Sequence, residues 1–368
     1  MRDRRRMVVL CPYPEGRAPS QRLKYEQYFD DWRAHGWDVD VRPFWDEAAW
    51  AGLYRPGGVL TRKVPALVRG LLRRRRDLRD ALGADLVYVH LEASPVGPPV
   101  VERALARHGV PIVYDIDDLV HLPHASRANA FMRWLRSPSK ITELVTRADE
   151  VIVCTAYLGD FAGAHNARVT NISSTIDCDA YRPRPHRNRT EGVVIGWSGS
   201  HSTSPYLHRL DGVLRELQAS DGVRIRVIGD PSFRIPGVEL EALPWRRESE
   251  VADLSELDVG VYPLPHEEWV LGKSGLKALQ YMALEIPPVV ERVGTNLEIV
   301  EADRNGLLAA TEEEWLDALR RLVRDPALRT RLGRAARETV VARYSVRANA
   351  PVYRGVLDRA LGASGGTG

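Results

Sequence analysis

Short apolar runs recur along the chain, each closed by turn residues and followed by a stretch with helical spacing. In the first half the runs are residues 7–10, 86–89, 111–116 (interrupted by Asp115) and 151–154. Short unbroken apolar runs of this kind predict strands buried on both faces, as in a parallel sheet. The intervening segments place apolar residues three and four apart, which predicts helices from about Ser20, over 64–82, over 100–108 and over 141–148. Ser20 suits a helix N-cap and Gly36 a helix stop, with a further strand at about 38–41.

Residues 177–192, DCDAYRPRPHRNRTEG, interrupt the pattern with polar and proline-bearing sequence. They read as a linker between domains. The alternation then restarts: strand 193–197, helix 205–218, strands 224–229, 259–262 and 288–290, and helices 312–324, 326–343 and 346–361. Alternating strands and helices imply right-handed crossovers and parallel sheets. The expected organisation is therefore α/β, with two doubly wound domains facing a cleft. The first covers 1–178, the linker 179–192 and the second 193–345, and the final helix 346–361 packs back on the first. In such sheets ligands bind beyond the carboxyl ends of the strands. The loops of interest are then 12–22, 92–98, 115–118, 198–204 and 263–277.

Composition narrows the class. The chain has 368 residues, 44% hydrophobic and 27% charged, with a net charge of +3, which gives no reason to expect a nucleic-acid partner. The three cysteines, Cys11, Cys154 and Cys178, are far apart and form no CxxC pair, so a disulfide framework or zinc site is not expected and a cytoplasmic setting fits. No apolar run approaches the ~20 residues that span a bilayer. Charge is unevenly placed: Arg69, Arg73, Arg74, Arg75, Arg76 and Arg79 crowd one helix, interleaved with Leu67, Val68, Leu71, Leu72 and Leu78. That amphipathic helix reads as a solvated face, an acidic-partner site or a contact with the inner membrane surface.

Two segments carry candidate chemistry. In IGWSGSHSTSPYL, a strand leads to Gly199, then Ser200, Ser202 and Thr203, then a helix. Small residues there let backbone amides approach a phosphate, although a Ser/Thr-rich capped turn has the same appearance. In GKSGLKALQYMAL, Lys273 and Lys277 are four apart at the start of a helix and are expected to share a face. Cations at a helix N-terminus oppose its dipole, and an anionic ligand such as a diphosphate would offset that cost. Gln280 on the same helix can pair with a sugar hydroxyl. Asp115, Asp117 and Asp118 end a strand; paired carboxylates invite a metal reading, but one carboxylate directed at a ligand and one capping the next turn is preferred. Loop 12–22 offers Gly16, Ser20 and Arg22 to a second ligand. No Walker A, GxSxG, HExxH or GxGxxG pattern is present.

These segments resemble the retaining glycosyltransferases of family 4. The likeness lies in PLPHEEWVLGKSGLKALQYMALEIPPVV, GTNLEIV, NGLLA, the closing helices from Thr311 to Ser345, and SSTIDCDAYRP before the linker. In the first half, PIVYDIDDL sits where members often end a strand in His-Asp, so that Asp117 takes the histidine position and Asp118 the aspartate position. The resemblance implies the GT-B fold, two Rossmann-like domains. It also implies transfer of a sugar from a nucleoside-diphosphate sugar, with retention and without a metal or other cofactor, to a glycan, lipid-linked or small-molecule acceptor. The donor would be held by Gly199, Ser200, Ser202, Thr203, Gly229, Gln280, Gly294, Thr295 and Asn296. The acceptor would be held by Gly16, Ser20, Arg22 and Asp118, and the chemistry would involve Asp117, Lys273 and Lys277.

Two departures stand out. Many members have a Glu-x7-Glu motif whose positions read Gly272 and Gln280 here, and an arginine and lysine whose positions read Ser200 and about Pro205. Lys273 and Lys277 are expected to replace the lost positive charge. The missing carboxylates also leave room for a non-catalytic nucleotide-sugar sensor or scaffold. A sugar-nucleotide epimerase and a nicotinamide enzyme fit less well.

Overall fold

The computed structural model describes residues 4–53, 59–117, 119, 139–184 and 192–364. The chain forms two compact units: Met1–Ser174 with Gly272–Ser274 and Asn349–Gly368, and Thr175–Leu271 with Gly275–Ala348.

The first unit is built on a six-stranded parallel sheet in the order β2-β1-β3-β4-β5-β6. Its strands are β1 (Arg5–Cys11), β2 (Trp37–Pro43), β3 (Leu86–His90), β4 (Ile112–Ile116), β5 (Glu150–Val153) and β6 (Val169–Asn171). Strands β3, β4 and β5 are buried along their whole length. Helices cover both faces of such a sheet, which explains why its strands read as unbroken apolar runs. The segment expected as one helix from Ser20 is broken into a turn, Pro19–Arg22, a 3-10 turn, Glu26–Tyr28, and a helix, Phe29–Ala34. Ala18, not Ser20, is the N-cap residue of the first turn.

The helix Val346–Ser364 belongs to the first unit from Asn349 onward. Tyr353 packs on Tyr28, with ring centroids 4.4 Å apart, and Arg359 grips Glu150 through two bonds of 3.1 and 2.9 Å. The basic helix, Val64–Ala81, turns two of its arginines inward. Arg74 is 2% exposed and donates to the Arg42 and Cys11 carbonyls and to Asp77. Arg73 donates to Asp46 at 2.7 Å. Arg73 thus ties the helix to the loop that follows β2 instead of facing outward with its neighbours. Arg69, Arg75, Arg76 and Arg79 remain exposed, together with Val64, Val68, Leu71 and Leu72.

The second unit repeats the plan in the order β12-β11-β10-β7-β8-β9, all parallel. Its strands are β7 (Val194–Ser198), β8 (Arg224–Ile228), β9 (Glu241–Leu243), β10 (Val259–Tyr262), β11 (Pro288–Glu291) and β12 (Leu307–Ala309). One core lies on each face of the sheet, the first around Tyr281, Met282 and Val290, the second around Trp197, Leu214 and Trp315. Helix Glu312–Arg324 starts on a reciprocal cap between Thr311 and Glu314.

Candidate active site

In the second unit the chain begins at β7 and proceeds first to β8 on one side, then to β10 on the other. The strand order reverses between β7 and β10, and the crevice beyond their carboxyl ends is the place where doubly wound sheets take ligands. Gly199 follows β7 and Gly229 follows β8. Gly229 has φ +111°, and a Cβ there would strike the Gly199 carbonyl oxygen, so both backbone conformation and close approach require glycine. The next residues form a self-tied turn. Ser200 N–H donates to Thr203 Oγ1 at 3.2 Å, and the Ser200 and Ser202 hydroxyls lie 2.8 Å apart. Buried Ser204 donates to Asp230 at 2.5 Å. These bonds tie the turn to itself and to Asp230, which follows β8.

Lys277 brings the charge. It lies in the first turn of helix Leu276–Ala283, which opens from Gly275 at φ +69°. Its ammonium is 4.5 Å from the Trp197 ring centroid, 5.1 Å from that of Tyr262 and 3.4 Å from Thr203 Oγ1. A Cβ on Gly199 would come within 2.8 Å of the same nitrogen. The Trp197 and Tyr262 rings hold the cation by attraction to their π faces. One ammonium and a glycine turn thus meet at the carboxyl ends of β7 and β10, an arrangement suited to a phosphate or diphosphate, although the Gly199, Ser200, Thr203 and Ser204 amides are already bonded within the chain.

Lys273 does not share this helical face. It precedes the helix and falls in the Gly272–Ser274 segment that groups with the first unit.

The same helix holds the strand end. The Ser198 N–H donates to Tyr281 Oη at 2.9 Å, and the Tyr281 ring fills the space where a Cβ on Gly260 would sit. Gln280 is 5% exposed, and its amide donates to Tyr181 Oη at 2.9 Å and Glu250 Oε1 at 3.1 Å. The expectation that this amide group meets a sugar is corrected: both contacts are internal, and Glu250 also accepts from Trp245 Nε1 at 3.0 Å.

In the turn after β11, Gly294 has φ +54°. Asn296 is buried and donates to the Glu291 carbonyl at 3.0 Å, whereas the buried Thr295 hydroxyl has no hydrogen-bond partner among the described residues. The sequence reading missed Glu291. Its carboxylate is fully buried, and Oε1 accepts from His266 at 2.8 Å and Arg209 at 3.3 Å. The one available signal was a glutamate closing an otherwise apolar strand, PPVVE.

In the first unit the loop after β1 is ordered by Gln21 and Glu26. The Tyr13 N–H donates to Gln21 Oε1 at 3.0 Å, and the Gly16 N–H donates to Glu26 Oε2 at 2.8 Å. Burial raises the Glu26 carboxyl above its ordinary range, against the hydrogen bonds from Gln21 and Gly16. Ser20 and Arg22 are half-buried in the turn that follows. At the end of β4 the two aspartates of the DxD stretch meet a cation already supplied by the chain. Lys24 Nζ is ion-paired with Asp115 and lies 3.8 Å from Asp117. Asp115 also accepts from Tyr88 at 2.7 Å and lies 3.3 Å from His90 Nδ1. Lys24, Tyr88 and His90 were not singled out from the sequence, because no local spacing links them to Asp115. Asp118 lies outside the described residues. Among the described residues, no three His, Cys, Asp or Glu side chains group closely enough to hold a metal ion.

Residues 194–325, the stretch that contains Gly199, Lys277 and Glu291, match the family described as Glycosyl transferases group 1. The chain is 25% identical over 366 residues to the D-inositol 3-phosphate glycosyltransferase of Saccharomonospora viridis, covering 86% of this chain and 80% of that protein. Among solved structures, sucrose-phosphate synthase from Thermosynechococcus elongatus superposes with a TM-score of 0.65 at 18% identity, covering 98% of this chain and 100% of that one. HepE of Anabaena in complex with UDP and glucose superposes with a TM-score of 0.67 at 16% identity, covering 96% and 99%.

Proposed function

We propose that this chain, a glycosyltransferase with the GT-B fold, moves a sugar from a nucleoside-diphosphate sugar held by its second unit to a hydroxyl of an acceptor held by its first. The observation that carries the reading is Lys277. Its ammonium is held over Trp197 and Tyr262 where the strand order reverses, beside the Gly199 turn. As the glycosidic bond breaks, negative charge grows on the departing diphosphate, and a preorganised cation stabilises that charge most in the transition state. In this reading Lys277 takes the part of the cations missing at Ser200 and Pro205, and transfer needs no metal. It proceeds with retention, the diphosphate oxygen taking the acceptor proton on the face it leaves. The acceptor is held by the loop after β1, through Gly16, Ser20 and Arg22. We further propose that the exposed face of the basic helix rests on an anionic membrane surface on the cytoplasmic side, where lipid-linked or cell-surface acceptors are made. The support is its mixture of exposed apolar side chains and arginines.

The test is a calorimetric titration with UDP, GDP, ADP and dTDP and their hexose derivatives, with and without Mg²⁺, followed by transfer assays. The expected result is selective, metal-independent binding, with turnover lowered by about 10²–10³ in Lys277→Ala. Lys273→Ala is run beside it, because the two lysines no longer form one helical pair. Unchanged turnover in Lys277→Ala would remove the proposed cation from the mechanism. Nucleotide binding with no transfer to any acceptor would favour the sensor or scaffold reading.

A further inference from the structure

No role was assigned above to the Arg209–Glu291–His266 cluster, although His266 lies in the segment PLPHEE. It joins three separate elements of the second unit. Arg209 is in the 3-10 segment Ser204–Leu210, directly after Thr203, which meets Lys277. His266 lies four residues beyond Tyr262, whose ring also meets Lys277. Glu291 is the last residue of β11. The carboxylate therefore adjoins both loops that flank the proposed phosphate position, on the β10–β11 side of the sheet. In doubly wound halves the nucleoside lies toward the second strand, where an acidic residue pairs with ribose hydroxyls. Here that is the β8 side. What hangs from the far end of the diphosphate then lies toward β11.

We infer that Glu291 recognises a hydroxyl of the transferred sugar, and that the site selects a neutral sugar with adjacent hydroxyls. This rests on the nucleotide-sugar reading given above. Both cations of the cluster bond Oε1, whereas Oε2 is buried and has no hydrogen-bond partner among the described residues. The same holds for the buried Thr295 hydroxyl in the turn that follows. An unpaired carboxylate oxygen in the interior is costly, and such groups are rare unless a ligand or water completes them. A sugar hydroxyl donating to Oε2 makes a charge-assisted bond, and its neighbour pairs with Thr295. His266 and Arg209 are 53% and 40% exposed, so the carboxylate lies one side chain below the surface. A uronate would instead set its own carboxylate against Oε2, like charge against like. Glu291 thus supplies a carboxylate in a donor site whose motif positions, Gly272 and Gln280, carry none.

The experiment measures affinity for UDP against UDP-glucose, ADP against ADP-glucose and GDP against GDP-mannose, in the wild type, Glu291→Gln and Thr295→Val. The quantity read is the ratio of nucleotide-sugar to nucleotide affinity for the pair that binds best. Expected is a loss of about tenfold or more in that ratio for Glu291→Gln and a smaller loss for Thr295→Val, with nucleotide affinity retained in both. Retained nucleotide binding also reports that the variants are folded. An unchanged ratio in both variants overturns the inference while leaving the nucleotide-sugar reading intact. A wild type that binds none of the three nucleotides overturns both. UDP-glucuronate binding more tightly than UDP-glucose would overturn the neutral-sugar assignment.

Discussion

Asp115 illustrates what a single residue hides in a sequence. Its DxD setting reads as a metal site, yet the structure fills its surroundings with Lys24, Tyr88 and His90. Lys24 is 91 positions away, beyond the reach of any local spacing. Burial by itself would raise the Asp115 carboxyl, but the Lys24 ammonium and then His90 bring it down to about 2. The folded carboxyl is therefore more acidic than an unfolded one at about 3.9. Its contribution to stability is complete above about pH 4 and is lost as pH falls through about 2. Asp115→Asn is expected to cost about 3–5 kcal/mol at neutral pH, because buried Lys24 loses its bonded carboxylate and keeps only the more distant Asp117. Urea denaturation of both proteins should show the difference narrowing below pH 4. A difference that is constant down to pH 2 would mean the ion pair contributes nothing. Tyr281 makes a neutral comparison: Tyr281→Phe leaves the buried Ser198 N–H without its acceptor and is expected to cost about 1–3 kcal/mol by the same measurement.

At the scale of elements, the strands were readable and the turns only partly so. A strand in a two-sided parallel sheet must be apolar throughout, so β1, β3, β10 and β11 stood out as short runs and were placed to within two residues. The short edge strands β6 and β9 carry half-exposed positions and left no such signal. The helix expected from Ser20 failed for a related reason: Gln21 serves the β1 loop and Lys24 serves β4, so the chain is drawn inward between two helical turns. Of the proposed donor site, the Gly199 turn and Lys277 were legible, because a glycine after a strand and a lysine at a helix start are local patterns. Gln280 was misjudged because its partners, Tyr181 and Glu250, are distant in the sequence. The turn pairing makes a direct prediction. Gly229→Ala adds unfavourable backbone torsion, about 1–3 kcal/mol, and a collision with the Gly199 carbonyl. Lower thermal stability is expected, together with weakened nucleotide affinity as the Gly199 turn moves. A variant with wild-type melting temperature and affinity would show that the turn relaxes freely.

Over the whole molecule, alternation of strands and helices was enough to anticipate two doubly wound sheets, because each helix crossover forces the next strand to run parallel. The surface is less determined by such rules, and the basic helix shows why. Six arginines interleaved with apolar residues read as an amphipathic helix, but burial divides the arginines: Arg73 and Arg74 bind the first unit's own groups, and the outward face is part apolar. Val68 is 48% exposed and Leu72 54%, beside exposed Arg69, Arg75, Arg76 and Arg79. No helix among the described residues is long and apolar enough to cross a bilayer, so any membrane contact by this helix would be interfacial. On the proposed membrane reading the apolar residues enter the headgroup boundary and the arginines meet anionic lipid, each worth about 1 kcal/mol near the surface. Replacing Arg75 and Arg76 by glutamine should then weaken partition onto phosphatidylglycerol-containing vesicles roughly thirtyfold. Leu71→Ser with Leu72→Ser should weaken it on charged and neutral vesicles alike, since that change removes burial rather than charge. Raising the salt concentration should mimic only the arginine changes. Arg73→Gln is expected to lower stability, because it breaks the bond to Asp46, without altering the salt dependence. Co-sedimentation that is indifferent to both double substitutions would leave this face without a membrane role.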